Sequence, residues 1–199
     1  AGGLDAFKEF VQGIVPDTGT SYIVIQHLKA DYRSHLLEII ESSAPLTVRH
    51  PQDRQPVQPS SIYVLKEDAE IRLEDGRFAL SPLPQKNARR FESLAQEKGE
   101  HAVGVVLSGS GTDGTVGLQK IKAQGGMCLA QTPGDASFSS MPKSAIETGC
   151  IDFVGTARDL ARKVDDYFDH RDASLTESDK IDADQEKNLL RILDLVHQQ

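Results

Sequence analysis

The stretch VLSGSGTDGTVGLQKIK, Val106–Lys122, constrains the fold more than any other part of the chain. An apolar, β-branched run gives way to a glycine-rich loop, and the loop opens into a helical pattern. One acid, Asp113, stands where the loop meets the helix. A strand that turns straight into a helix is the building block of a parallel sheet, because parallel neighbours need a crossover.

The same unit recurs. Leu4, Phe7, Val11 and Ile14 mark a helix, followed by SYIVIQH (Ser21–His27), a buried strand that ends on a histidine. DYRSHLLEIIES reads as a helix with Leu36, Leu37, Ile39 and Ile40 on its apolar side, and LTVRH as a short strand. FESLAQEKG is a helix closing at Gly99, AVGVVL a strand, and TVGLQKIKAQGG a helix stopped by Gly125-Gly126. MCLAQ and IDFVG are strands, while MPKSAIETG and ARDLARKVDDYF are helices, the first with Pro142 in its opening turn. The expected fold class is α/β: a doubly wound, mostly parallel sheet with helices on both faces, a Rossmann-like three-layer sandwich.

SSIYVLKEDAEIRLEDGRFALSP breaks the alternation. Its runs Ile62–Leu65, Glu70–Leu73 and Arg77–Leu80 read as an antiparallel insert near the active site, and Asp75-Gly76 marks a tight hairpin turn. From Arg171 the texture becomes polar and acidic. The expected organisation is a domain over 1–168, an acidic linker over 169–186, and an amphipathic helix over 187–199 carrying Leu189, Ile192, Leu193 and Val196.

The 199 residues carry a net charge of −8, which argues against nucleic acid as a partner. No apolar run approaches the roughly 20 residues of a membrane span, and no signal segment opens the sequence. Cys128 and Cys150, both in apolar contexts, read as free buried thiols suited to a reducing cytoplasm. The six histidines are scattered, without ligand spacing to the cysteines, so no metal is expected.

In open parallel sheets, sites form at the carboxyl ends of strands. His27 ends one strand and Asp113 follows another, the residue types of a general base and the acid that orients it. Other readings stand beside this one. His27 is also read as a structural strand-end residue, Asp113 as a helix N-cap, and GSGTDG as an anion cradle without the lysine of a P-loop. Ser108 and Ser110 read as loop residues rather than nucleophiles.

VIQHL (Val24–Leu28), AVGVVLSGSGTDGTVGLQKIKAQGG (Ala102–Gly126) and MPKSAI (Met141–Ile146), in this order, resemble the catalytic domain of the chemotaxis protein-glutamate methylesterase (CheB) family over residues 1 to 166. The resemblance implies a cofactor-free cytoplasmic serine hydrolase that demethylates glutamate methyl esters on chemoreceptor helices, in many members also deamidating glutamines. It implies a Ser–His–Asp triad with His27 as base and Asp113 as orienting acid. Ser110 and Gly111 would lie in the oxyanion loop, Gly2 and Gly3 would offer helix amides, and Thr112 and Met141 would line the substrate groove.

The family nucleophile lies in a Gly-x-Ser-x-Gly-Gly turn, of which only Ala1, Gly2 and Gly3 match. The serine is therefore expected immediately before Ala1, at the end of a strand outside the sequence. SPLPQKNARRFESLA lacks the basic or proline-led stretch with an acid that the family usually carries before this helix, and loss of a segment near Arg89-Arg90 would explain the difference. NLLRILDLVHQQ is similar to the opening helix of the receptor methyltransferase (CheR) family, so a fused or associated methyltransferase domain is a further expectation. The alternative is a methylesterase-like interaction module without turnover.

Overall fold

The computed structural model describes residues 2–16, 18–27, 36–66, 69–82, 92–111, 113–174 and 189–196. Chain order is α1 (Gly2–Gln12), β1 (Thr20–His27), α2 (Leu36–Glu41), β2 (Thr47–Arg49), β3 (Ser61–Val64), β4 (Ala69–Glu74) and β5 (Arg77–Pro82). Then follow α3 (Glu92–Lys98), β6 (Val103–Val106), α4 (Asp113–Ala123), β7 (Met127–Gln131), α5 (Ser140–Glu147), β8 (Phe153–Gly155), α6 (Ala157–Ser174) and β9 (Leu189–Val196).

Seven strands form one sheet in the order β2-β3-β1-β9-β6-β7-β8. Every pairing within it is parallel. Strands of such a sheet are covered on both faces, which is why residues 20–25 of β1 and all of β3, β6 and β7 are buried. Alternate residues serve different cores. Tyr22, Val24, Ile62, Val105 and Leu129 pack against α1, α2 and α6, while Ile23, Ile25, Tyr63, Val106 and Ala130 pack against α3, α4, α5 and the hairpin. Phe7, Phe10, Tyr22, Tyr63 and Phe78 are fully buried, each contributing about 1.5–3 kcal/mol of apolar transfer.

Asp75-Gly76 makes the expected turn, with Asp75 at φ 50° and Gly76 at φ 70°, both in the left-handed region. Glu74 pairs with Arg77, which sets the antiparallel register of β4 and β5. The insert is smaller than expected, however. The run Ile62–Leu65 supplies β3, a parallel strand between β1 and β2 and not a member of the hairpin. A short apolar run carries no signal for parallel or antiparallel pairing, and complete burial is what drew it into the main sheet.

Two further expectations change. Helix α6 runs through Ser174, into the stretch expected to be linker, and residues 175–188 lie outside the described residues. The helix expected over 187–199 is replaced by a strand, β9, over Leu189–Val196. Its backbone registers with β1 from Thr20↔Leu189 to His27↔Val196 and with β6 from Gly104↔Ile192 to Val106↔Asp194. The reason is twofold. LLRILDLV is apolar apart from Arg191 and Asp194, and such a run satisfies a helical stripe and a doubly buried strand alike. In that place it pairs with the backbone N–H and C=O groups of β1 on one side and β6 on the other.

Helix α4 lies close on the sheet because β6 carries Gly104. A Cβ there would stand 2.5 Å from Leu118 Cδ2 and 2.8 Å from Ile121 Cδ1. At the amino end of the sheet, Asp152 holds β7 and β8 together: its carboxylate accepts from Cys128 N–H (2.9 Å) and from Lys122 Nζ. That bond holds the Lys122 ammonium above the usual lysine range. Both cysteines are free; Cys128 is buried and Cys150 partly so.

Candidate active site

Connectivity locates the site. From β1 the chain crosses to the edge strand β2 and returns to β3 on one side, and from β6 it winds outward through β7 and β8 on the other. Loops leaving the carboxyl ends of β1 and β6 therefore part in opposite directions, and the crevice between them is where ligands bind in open α/β sheets. β9 ends in that crevice.

His27 is the last residue of β1, and Asp113 the first residue of α4 after β6. The strands β1 and β6 are two places apart in the sheet, about 10 Å at the usual spacing. The His27 and Asp113 side chains, Thr112, Ala1, Arg89 and Arg90 lie outside the described residues. Gly2 opens α1, so its amide and that of Gly3 belong to a first turn whose N–H groups have no helical partner.

The loop between β6 and α4 is held in detail. Ser108, 1% exposed, donates its N–H to Gln131 Oε1 (2.8 Å), and its Oγ accepts the Phe138 N–H (3.0 Å). Gly109 N–H donates to the Phe138 carbonyl (3.0 Å), and the Gly109 carbonyl accepts Met141 N–H (3.1 Å) and Ser140 Oγ (3.2 Å). Ser108 is thus a structural residue, as its sequence context suggested. Beyond Gly109 the loop emerges: Ser110 is partly buried and Gly111 exposed. Gly111 has φ 105°, where a side chain would be strained.

Met141 is fully buried in the core shared by α4, α5 and β7. As a groove-lining candidate it offers no side-chain surface; its backbone N–H fixes the loop instead. Gln131, Asp135 and Phe138 were not singled out from the sequence. A signal for Gln131 was present, since a polar residue ending the apolar strand MCLAQ is the same cue that drew attention to His27. Among the described residues no group of three or more His, Cys, Asp or Glu gathers as a metal site, and no helix is long and apolar enough to cross a membrane.

Residues 1–164 match the family model of CheB methylesterase. A protein-glutamate methylesterase/protein-glutamine glutaminase of Photorhabdus laumondii is 29% identical over 163 residues, covering 77% of this chain and 46% of that protein. Its counterpart in Thiobacillus denitrificans is 28% identical over 177 residues, covering 84% and 49%. The chain thus spans about half the length of these curated relatives. The crystal structure of the Thermotoga maritima CheB methylesterase catalytic domain superposes with a TM-score of 0.75 at 23% identity, covering 83% of this chain and 93% of that one. The likeness shows the shared α/β fold.

Proposed function

The chain belongs to the CheB methylesterase family, and from that premise we propose that it hydrolyses glutamate γ-methyl esters on a chemoreceptor to glutamate and methanol. Deamidation of receptor glutamines belongs to the same proposal, since it is the same acyl transfer with ammonia as leaving group. The observation that supports it is topological: the two matched motifs end β1 and follow β6, on either side of one switch-point crevice.

In this reading the nucleophile is a serine immediately before Ala1. His27 takes the serine proton as the hydroxyl attacks the ester carbonyl, then delivers it to the departing methoxide. Water, deprotonated by His27, cleaves the acyl-enzyme and regenerates the serine. Asp113 holds the His27 tautomer and stabilises the imidazolium. The Ser110 N–H, joined by the first-turn amides of α1, faces the oxyanion. All of this uses side chains and backbone alone, so no cofactor enters.

The test is labelling with a serine-directed fluorophosphonate, read by intact mass, alongside methanol release from methylated receptor helices, both on the native-length protein. One labelled serine is expected just upstream of Ala1. His27→Ala should abolish labelling, and Asp113→Asn should lower kcat by roughly 10³–10⁴-fold. Absence of both labelling and methanol release would leave the interaction module without turnover as the better account.

A further inference from the structure

We propose that Gln131, acting with Ser108, is a positioning residue that sets the height and direction of the oxyanion loop and of the first turn of α4; the assignment rests on the esterase reading above. Gln131 ends β7 and is 1% exposed. Its backbone is fixed, because β7 pairs with β8 as Gln131↔Gly155 and the following Thr132 N–H donates to the Gly155 carbonyl (2.8 Å). Its amide spans two loops. Oε1 accepts the Ser108 N–H at 2.8 Å, while Nε2 donates to Asp135 Oδ2 at 3.0 Å and, more loosely, to the Asp135 carbonyl at 3.4 Å. The amide's orientation is dictated by these partners: an N–H faces one end and acceptors face the other, so only the oxygen can meet Ser108.

A glutamine in this place is chemically specific. Leucine would leave the buried Ser108 N–H without a partner. Glutamate would still accept from Ser108, but its second oxygen would face the Asp135 carboxylate and carbonyl. The latch is continued by Ser108 Oγ on Phe138 N–H and by Gly109 on Phe138 and Met141. It clamps residues 108 and 109, and the functional part of the loop begins at the next residue. Ser110, whose N–H is assigned to the oxyanion, follows directly, and Asp113 stands four residues past Gly109. A displacement of about 1 Å at the clamp carries to both, and misplacement of that size costs about 100-fold in rate. A polar residue that merely satisfied the core would have no such effect on turnover.

The experiment measures methanol release from methylated receptor helices by the native-length protein and its Q131L, Q131E and Q131E/D135N variants. Q131L is expected to lose about 10- to 100-fold in kcat with KM changed less than about twofold. Q131E should fall similarly. Q131E/D135N should recover to within about threefold of wild type. In that variant the amide introduced at position 135 donates to one oxygen of the carboxylate introduced at position 131, while the other oxygen keeps the Ser108 N–H. A folded Q131L with wild-type kcat overturns the assignment, as does a double variant no better than Q131E; the double variant decides the matter if Q131L does not fold. A wild-type protein that releases no methanol removes the esterase reading and this assignment with it, whereas turnover that is indifferent to Gln131 removes only the assignment.

Discussion

Single residues at strand ends divide the labour of the site. His27 and Gln131 both close apolar strands with a polar side chain, yet one is assigned to chemistry and the other to holding a loop. The pattern of polarity shows that such residues matter but not how, because the difference lies in partners separated by tens of positions. Ser108 and Gln131 are 23 residues apart, beyond any local periodicity. The same limit applies to Met141, whose motif drew attention to it while complete burial defines its role. The cysteines differ as their surroundings do. Burial pushes the Cys128 thiol up, out of reach of ordinary ionisation, and the nearby Cys150 and Asp152 add to the effect. Native protein treated with iodoacetamide at pH 8 should therefore gain its adduct at the partly exposed Cys150, with Cys128 reacting only after urea unfolding; peptide mapping checks this. The sign for stability follows. Cys128 contributes fully below the ordinary thiol pKa, near 8.5. Its contribution declines as pH rises above that value, because the unfolded thiol ionises first.

At the scale of elements, local chemistry was readable where it was self-contained. The Asp75-Gly76 hairpin and the helix after GSGTDG are decided within a few residues. So is the start of α6. Thr156 Oγ accepts the Asp159 N–H (3.2 Å) and donates to Asp159 Oδ2 (2.6 Å), and Asp159 Oδ2 accepts the Thr156 N–H (3.3 Å), a reciprocal cap. The Thr156 hydroxyl also holds the Asp159 carboxyl below the usual carboxylate range, so this part of the cap is lost as pH falls through that lowered value. Thr156→Ala should cost about 1 kcal/mol in urea denaturation at neutral pH. Legibility ended where pairing depends on distant partners. β3 and the hairpin look alike as strings but join different sheets, and LLRILDLV suits a stripe or a central strand equally. Ile192→Pro tests that strand directly. Removing an interior ladder N–H between β1 and β6 should destabilise the chain, read as a lowered urea midpoint; an unchanged midpoint would argue against a central strand there.

For the whole molecule, alternation of strand and helix led from sequence to the α/β class, but the order of strands was not available from it. That order brings His27 and the GSGTDG loop to one crevice. It also has a consequence for how the molecule fails. The group β1, β2 and β3 draws on residues 20–64, and β6, β7 and β8 on residues 103–155, so each half is knitted from contacts close along the chain. The seam between them, filled by β9, joins segments far apart in sequence, and the residues assigned to catalysis belong to its two lips. Sub-global opening follows such boundaries. Heating should therefore extinguish the proposed methanol release before far-ultraviolet dichroism reports loss of helix, and brief cooling from that interval should restore it: the site would be switched off by parting, with both halves still standing.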